Sequence, residues 1–362
     1  MGFECGIVGL PNAGKSTLFN ALTRSANARA ENYPFCTIDP NMGEVEVPDE
    51  RLWRLAKQAS SKQVIPTRIS FVDIAGLVKG ASQGAGLGNR FLSHIREVDA
   101  LAHVVRCFVD EDVAHVEGST DSVHDAEIIE TELLLSDLES LEKRVAAGRK
   151  KPVKGDLEAG LRMELLERAL ALVSEGRPAR ELEVEEAHQS IWRQSGLLTS
   201  KPMLYVCNVD EGGENDSVRA LKEYGASRGI SSIVISARVE EELASFSQEE
   251  RVAYLQEAGL SEDGLSALIR AGYDLLELLT FFTVGEKEAR AWTIRTGSCA
   301  PEAAGRIHTD FERGFIRAEV VSWDLFLEHG GEHGAREAGA LRLEGREYVV
   351  CDGDVIHFRF AV

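Results

Sequence analysis

The chain has no apolar run approaching the roughly 20 residues that a membrane-spanning helix requires. It opens Met1-Gly2-Phe3-Glu4-Cys5, without a basic stretch followed by an apolar core, so no secretory signal is expected. Cysteine is sparse: six residues, at positions 5, 36, 107, 207, 299 and 351, never in C-x-x-C spacing. That excludes a zinc ribbon and a disulfide framework, and predicts reduced thiols in a cytoplasmic protein. Positive charge is in deficit, with 40 Lys and Arg against 60 Asp and Glu, a net charge of −20. A general coat for nucleic acid needs the opposite balance. With 44% hydrophobic and 28% charged residues over 362 positions, two or three globular domains with cores of their own are expected, without membrane association.

What the chain does have begins at Gly9. The run Gly9-Leu10-Pro11-Asn12-Ala13-Gly14-Lys15-Ser16-Thr17 fits G-x-x-x-x-G-K-S/T, the phosphate-binding loop. It follows the apolar strand pattern Cys5-Gly6-Ile7-Val8 and precedes the helical pattern Leu18-Phe19-Asn20-Ala21-Leu22, which is the context the motif needs. Backbone N–H groups of the loop, Asn12 to Thr17, curl around phosphates, and the helix N-terminus adds positive potential. Lys15 is expected to reach the β- and γ-phosphates and the Ser16 hydroxyl to ligate Mg²⁺.

A phosphate loop alone does not separate kinases, transporters and switch proteins. Ile69-Ser70-Phe71-Val72-Asp73-Ile74-Ala75-Gly76 is an apolar strand ending in D-x-x-G. There Asp73 can hold the Mg²⁺ hydration shell and the Gly76 amide can touch a γ-phosphate. Between the two motifs lies Tyr33-Pro34-Phe35-Cys36-Thr37, whose Thr37 can close over Mg²⁺ and release after hydrolysis. Gly76, Gly80, Gly84, Gly86 and Gly88 suit a segment that orders around the γ-phosphate.

Leu77 stands where Ras-like proteins carry a water-orienting glutamine, and a leucine cannot polarise water. Hydrolysis must recruit another group or be slow. His115 is the candidate, because it follows the strand Leu101–Phe108 and an acidic loop, near the carboxyl ends of the strands. His103, within that strand, reads as packed, and His94 as structural.

Base recognition departs from the common N-K-x-D pattern. After the strand Met203-Leu204-Tyr205-Val206-Cys207 comes Asn208-Val209-Asp210-Glu211. Glu211 occupies the place of the aspartate that binds guanine, and Val209 that of the lysine that packs on the base. Losing a bidentate acceptor weakens discrimination for guanine strongly. ATP is the expected nucleotide; a displaced Asn-Glu pair that still reads guanine is the alternative. Ile233-Val234-Ile235-Ser236-Ala237 supplies the last loop around the base.

Further along, apolar residues recur at helical spacing from Ala126 to Ala147 and again from Asp156 to Ser174, with a Gly/Pro break at 148–155. This predicts a helical hairpin or coiled coil at 126–199, inserted into a discontinuous α/β nucleotide domain (1–125 and 200–277), with a third short helix over 181–193. Six basic residues (Lys143, Arg144, Arg149, Lys150, Lys151, Lys154) fall at its tip with no acid among them. They read either as a solvated tip or as an RNA-facing patch. From about Leu278, short strands at 280–284, 289–293 and 355–360 predict a separate α+β module.

Taken together, the segments GLPNAGKSTLFNALT, YPFCTI, FVDIAGLVKGAS, GLGNRFL, VVRCF, NVDE and DGDVIHFRFAV resemble the Obg-like ATPase family of the YchF type, from Met1 to Val362. The resemblance implies ATP in preference to GTP, slow intrinsic hydrolysis, ribosome association and a role in translation control or stress response. It marks Leu77 as the family's hydrophobic replacement for glutamine and His115 as its loop histidine. Related potassium-activated proteins use an asparagine matching Asn12, which implies K⁺ stimulation. Residues 278–362 are similar to a TGS domain of β-grasp fold, a surface for RNA or ribosomal components. The chain departs from the pattern in Gly212-Gly213 after Glu211.

Two functions are weighed. In one, a monomeric ATP-hydrolysing switch orders Thr37 and Gly76 around ATP and presents the hairpin and the C-terminal module to the ribosome, with Lys15 stabilising charge and His115 positioning water. In the other, a regulatory binding protein senses nucleotide and turnover is incidental. A small-molecule kinase finds no acceptor pocket in the motifs.

Overall fold

The computed structural model describes residues 3–30, 42–74, 86–108, 121–150, 156–210, 213–258, 260 and 262–361. In chain order the first elements are β1 (Glu4–Val8), α1 (Lys15–Ala30), β2 (Met42–Glu46), α2 (Glu50–Gln58), β3 (Gln63–Ile65), β4 (Arg68–Asp73), α3 (Gly86–Glu97) and β5 (Ala100–Arg106). There follow α4 (Ser122–Lys150), α5 (Leu157–Ser174), α6 (Gln189–Arg193), β6 (Met203–Asn208), α7 (Asp216–Ser227), β7 (Ser231–Ile235), α8 (Ala237–Leu243), α9 (Gln248–Glu257) and α10 (Gly264–Leu275). The remainder is β8 (Leu278–Val284), β9 (Glu288–Arg295), α11 (Ala300–Ile307), α12 (Thr309–Arg313), β10 (Phe315–Ser322), α13 (Trp323–Glu328), α14 (Glu332–Glu337), β11 (Arg342–Glu344) and β12 (Asp354–Phe360). No helix among the described residues is long and apolar enough to cross a membrane.

Two compact units result: Phe3–Gly43 with Ser70–Leu268, and Glu44–Ile69 with Ile269–Val362. In the first, a six-stranded sheet has the order β2-β4-β1-β5-β6-β7. The pairs β1–β4, β1–β5, β5–β6 and β6–β7 are all parallel. Strands β5 and β6 are buried along their whole length, with His103, Arg106 and Asn208 enclosed among their apolar residues. Strand order reverses beside β1, since the chain places β4 on one side of it and β5 on the other. In open parallel sheets the crevice at such a reversal, outside the carboxyl ends of the strands, is where ligands bind.

The helical insertion forms as the periodicity predicts. Leu141 and Val145 of α4 pack with Leu165, Leu166, Ala169 and Val173 of α5, and Ala179, Trp192 and Leu197 close this cluster. Asp156 caps α5 by accepting from the Ala159 N–H at 3.0 Å. The single helix expected over 181–193 is instead two 3-10 turns, Ala179–Glu181 and Glu186–His188, followed by the short α6. Glu181 and Glu185 would lie one turn apart with like charge in a continuous helix, and Leu182 adopts extended backbone instead.

The second unit is a mixed sheet of order β11-β10-β12-β8-β9-β3. β8 and β12 are parallel at its centre, and β10 pairs antiparallel with β11 and β12. Residues 44–69, read from sequence as part of the nucleotide domain, group here: β3 pairs parallel with β9. Leu52, Leu55 and Ala56 of α2 are buried with Phe282, Ala289, Val321 and Phe326. The spacing i, i+3, i+4 gives α2 its apolar face, but nothing in that face names its partner.

Candidate nucleotide-binding site

The phosphate loop leaves β1 through Gly9 and enters α1 at Lys15. Two backbone positions in it demand glycine. A Cβ on Gly9 would meet the Val104 carbonyl oxygen at 2.3 Å, and one on Gly14 (φ +94°) would meet Asn208 Nδ2 at 2.2 Å. Asn12 also takes a left-handed conformation, at φ +62°, which asparagine tolerates better than most residues. Ala13 is buried, with its N–H on the Leu10 carbonyl at 3.4 Å.

Lys15 is buried at 7% exposure and its ammonium donates to the Leu10 carbonyl at 2.8 Å. Burial pushes its pKa down, and the neighbouring Asp73 carboxylate opposes that shift. The Ser16 hydroxyl donates to Asp73 Oδ2 at 3.4 Å across 57 residues of sequence. Burial raises the Asp73 pKa, with Lys15 and Ser16 acting against it. Asp73 Oδ1 is buried without a hydrogen-bond partner among the described residues. A hydroxyl and an orphaned carboxylate oxygen beside a buried ammonium are hard oxygen donors, and they fit the hydration shell of Mg²⁺.

Asn208, at the end of β6, ties the site together. Its Nδ2 donates to the Ala13 carbonyl at 2.9 Å, and its Oδ1 accepts from the Ala237 N–H at 3.0 Å. One buried amide thus joins the phosphate loop to the loop after β7. The Ser236 hydroxyl caps α8 by accepting from the Val239 N–H. Val209 is 6% exposed and packs in the core with Cys207 and Val218, and its N–H is held by the Ile235 carbonyl. The side chain in the place of the base-stacking lysine is therefore turned into the core. Thr17 is half-buried on α1.

His103 is 1% exposed and its imidazole is held neutral, pushed down to about 3 chiefly by burial, with Lys15 and Arg180 adding to it. It packs against Tyr205, in keeping with a core role. His94 lies half-buried on α3. Thr37, Gly76, Leu77, His115, Glu211, Lys151 and Lys154 lie outside the described residues. Of the basic tip, Lys143 pairs with Glu139 and Arg149 pairs with Glu167 at 2.8 Å. Arg144 donates to the Ser195 carbonyl at 2.7 Å, and Lys150 is exposed. Half of the sequence cluster is thus engaged within the hairpin itself.

Three further residues make structural contacts that no motif announces. Asn215 donates to the Cys107 carbonyl at 2.6 Å and caps α7, which fixes the chain on the far side of the base loop. Its signal was an N-cap before a helical pattern. Lys201 holds the end of α3, without any motif to mark it. Glu240 of α8 is 6% exposed and accepts from the Gly264 N–H at 2.8 Å.

Burial raises the Glu240 carboxyl to about 7, with the Gly264 and Leu265 N–H groups and Arg251 opposing and Asp263 reinforcing. The folded state therefore holds this proton more tightly than the unfolded chain. The stability it contributes is full below about pH 4.5 and is lost as pH rises through 7. Glu240→Gln, which keeps the acceptor, is expected to be more stable than wild type at pH 8 by about 3 kcal/mol, from the size of that shift. The gap should close by pH 4.5. Melting curves across this range check it, and a gap independent of pH would refute the assignment.

Comparison with known proteins agrees with this geometry. Residues 4–136 match the family model described as "50S ribosome-binding GTPase", and residues 278–361 match YchF-GTPase_C, described as "Protein of unknown function (DUF933)". The chain is 52% identical over 367 residues to the "Ribosome-binding ATPase YchF" of Bacillus subtilis (strain 168), covering 100% of both. This chain belongs to the YchF family. The YchF protein of Escherichia coli O157:H7 is 49% identical over 364 residues, again with both chains fully covered. The solved structure of the Schizosaccharomyces pombe YchF GTPase superposes with a TM-score of 0.88 at 39% identity, covering 99% of this chain and 97% of that one. A GTP-binding protein from Pyrococcus horikoshii OT3 shares the fold, with a TM-score of 0.62 at 19% identity, covering 99% of this chain and 100% of that one.

Proposed function

We propose that this chain is a ribosome-associated ATPase that works as a molecular switch. The observation that carries the reading is the polar knot of Lys15, Ser16, Asp73 and Asn208 at the strand-order reversal, in a chain about half identical along its whole length to YchF proteins named as ribosome-binding ATPases.

ATP phosphates would lie in the loop from Asn12 to Thr17, where first-turn N–H groups of α1 have no helical partner. Lys15 would leave the Leu10 carbonyl for the β- and γ-phosphates. Ser16, Thr37 and Asp73 would hold Mg²⁺, which when bound neutralises charge building on the transferred phosphoryl group. Asn12 would add a K⁺ contact. Water, positioned by His115, attacks the γ-phosphorus; the bond to the β-bridging oxygen breaks, and ADP and phosphate leave. Gly76 would sense whether the γ-phosphate is present. With Leu77 in place of a polarising side chain, the intrinsic rate is low. The helical arm, the exposed Lys150 and the C-terminal unit are the surfaces offered to the ribosome. The functional division we assign is a nucleotide domain, a helical insertion over 126–199 and a C-terminal module from 278 that groups with residues 44–69.

A GTPase with a variant base loop is the second reading, favoured by the GTPase named in the family model and in the fission-yeast structure. Calorimetric titration of ATP and GTP, side by side with Mg²⁺ and K⁺, decides between them. Glu211 in the place of the guanine-binding aspartate leads us to expect ATP to bind at least tenfold more tightly. Tighter GTP binding would overturn the ATP reading. Ribosomes that accelerate phosphate release would favour the switch over a passive sensor.

A further inference from the structure

The helix that follows the D-x-x-G motif is held at its far end by a lysine that no motif marks. The Lys201 ammonium donates to the Arg96 carbonyl at 3.0 Å and also to the Val98 carbonyl. These are carbonyls at the C-terminus of α3, where the helix dipole is negative and a cation is favoured. Burial lowers the Lys201 pKa, with Asp99 and Asp137 acting against it.

The same corner anchors the helical arm. Asp137 of α4 is 1% exposed and accepts from the Leu198 N–H at 2.9 Å, the Thr199 N–H at 2.8 Å and the Thr199 hydroxyl at 2.7 Å. These are the residues on which the arm returns to the sheet, immediately before Lys201. From the other side, Arg96 of α3 reaches the Ser136 hydroxyl of α4 at 3.5 Å. The Thr199 hydroxyl also accepts from the Ala179 N–H at 3.0 Å, so both ends of the arm converge here. One polar joint thus contains the C-terminus of α3, the middle of α4 and the turn on which the arm returns to the sheet.

We propose that Lys201 is a positioning residue for nucleotide hydrolysis: it clamps the end of α3 to the root of the helical arm, so that the arm and α3 move as one body. This rests on the switch reading above. Lys201 touches neither nucleotide nor metal; it acts by fixing α3, the first described element after Asp73. A displacement of the arm by a bound partner then reaches α3 without passing through the nucleotide.

The test uses the full chain carrying Lys201→Met, which keeps the buried stem and removes the charge, and Lys201→Arg, which restores it. We expect Lys201→Met to lower kcat for ATP about fivefold to tenfold with KM changed less than twofold, and Lys201→Arg to recover most of the loss. Amide hydrogen exchange over residues 92–98, measured without nucleotide, should quicken about tenfold in Lys201→Met. Arg96→Ala, at an exposed position, loosens the same joint without emptying the core and should lower kcat about threefold. Unchanged kcat in both variants, or a loss carried by KM, overturns the proposal. If the wild-type chain does not hydrolyse ATP, the switch reading fails. Unaltered exchange in α3 of Lys201→Met refutes the clamp by itself.

Discussion

Lys15→Ala is expected to lower ATP turnover by about a thousandfold, the scale on which one preorganised charge at a developing negative centre acts. The physical basis is the burial of this ammonium. In the described state its hydrogen-bond acceptor is the Leu10 carbonyl, and its charge is balanced by Asp73. Removing it leaves Asp73 as a buried carboxylate with less compensation, so Mg²⁺ affinity should change as well as phosphate affinity. Phosphate release at saturating ATP measures the first effect, and Mg²⁺ titration the second. Lys15→Ala with turnover within tenfold of wild type would remove this lysine from the chemistry.

The second large effect belongs to Asn208→Ala. The amide makes two buried hydrogen bonds, to the Ala13 carbonyl and from the Ala237 N–H. Alanine leaves both backbone groups buried and unpaired, each at a cost of about 1–3 kcal/mol. A loss of about 3 kcal/mol in folding stability and a roughly hundredfold weaker Kd for ATP are expected together. Chemical denaturation and calorimetry on the same sample check both. A variant that loses affinity but no stability would mean that Asn208 acts on the base alone, and the bridging role would fall.

The parts of the site that sequence made legible are those whose chemistry is local. The spacing from Gly9 to Ser16 dictates a loop with positive φ and a lysine at a helix start, and Gly14 and Lys15 sit as that pattern requires. Asp73 is legible because an acid ending an apolar strand has few other reasons to be there. The long helices α4 and α5 were also within reach, since each has apolar residues at helical spacing and a Gly/Pro break lies between them. What escaped are pairings between distant residues. Lys201 and Asp137 look like ordinary surface charges until the fold closes them onto Arg96, Leu198 and Thr199. At the basic tip, Lys143 pairs with Glu139 and Arg149 with Glu167, acids outside the 143–154 run, so composition within that run does not show these pairings. Within the C-terminal unit, β9 and β12 announce themselves by alternation and β8 by a nearly continuous apolar run. The three-residue strands β3 and β11 are too short for any period to show.

The assignment of residues 44–69 to the second unit has a practical consequence for anyone who cuts this protein. A fragment beginning near residue 269 would carry β8 to β12 but not α2 or β3. Its central apolar cluster would lack Leu52, Leu55 and Ala56, and β9 would become a bare edge. Unpaired edges beside exposed apolar surface recruit other chains. Such a fragment should therefore precipitate or self-associate, whereas one that supplies residues 44–69 through a linker should stay dispersed. The polypeptide is threaded back and forth between its two units, so neither can be inherited, excised or swapped as one uninterrupted stretch of sequence.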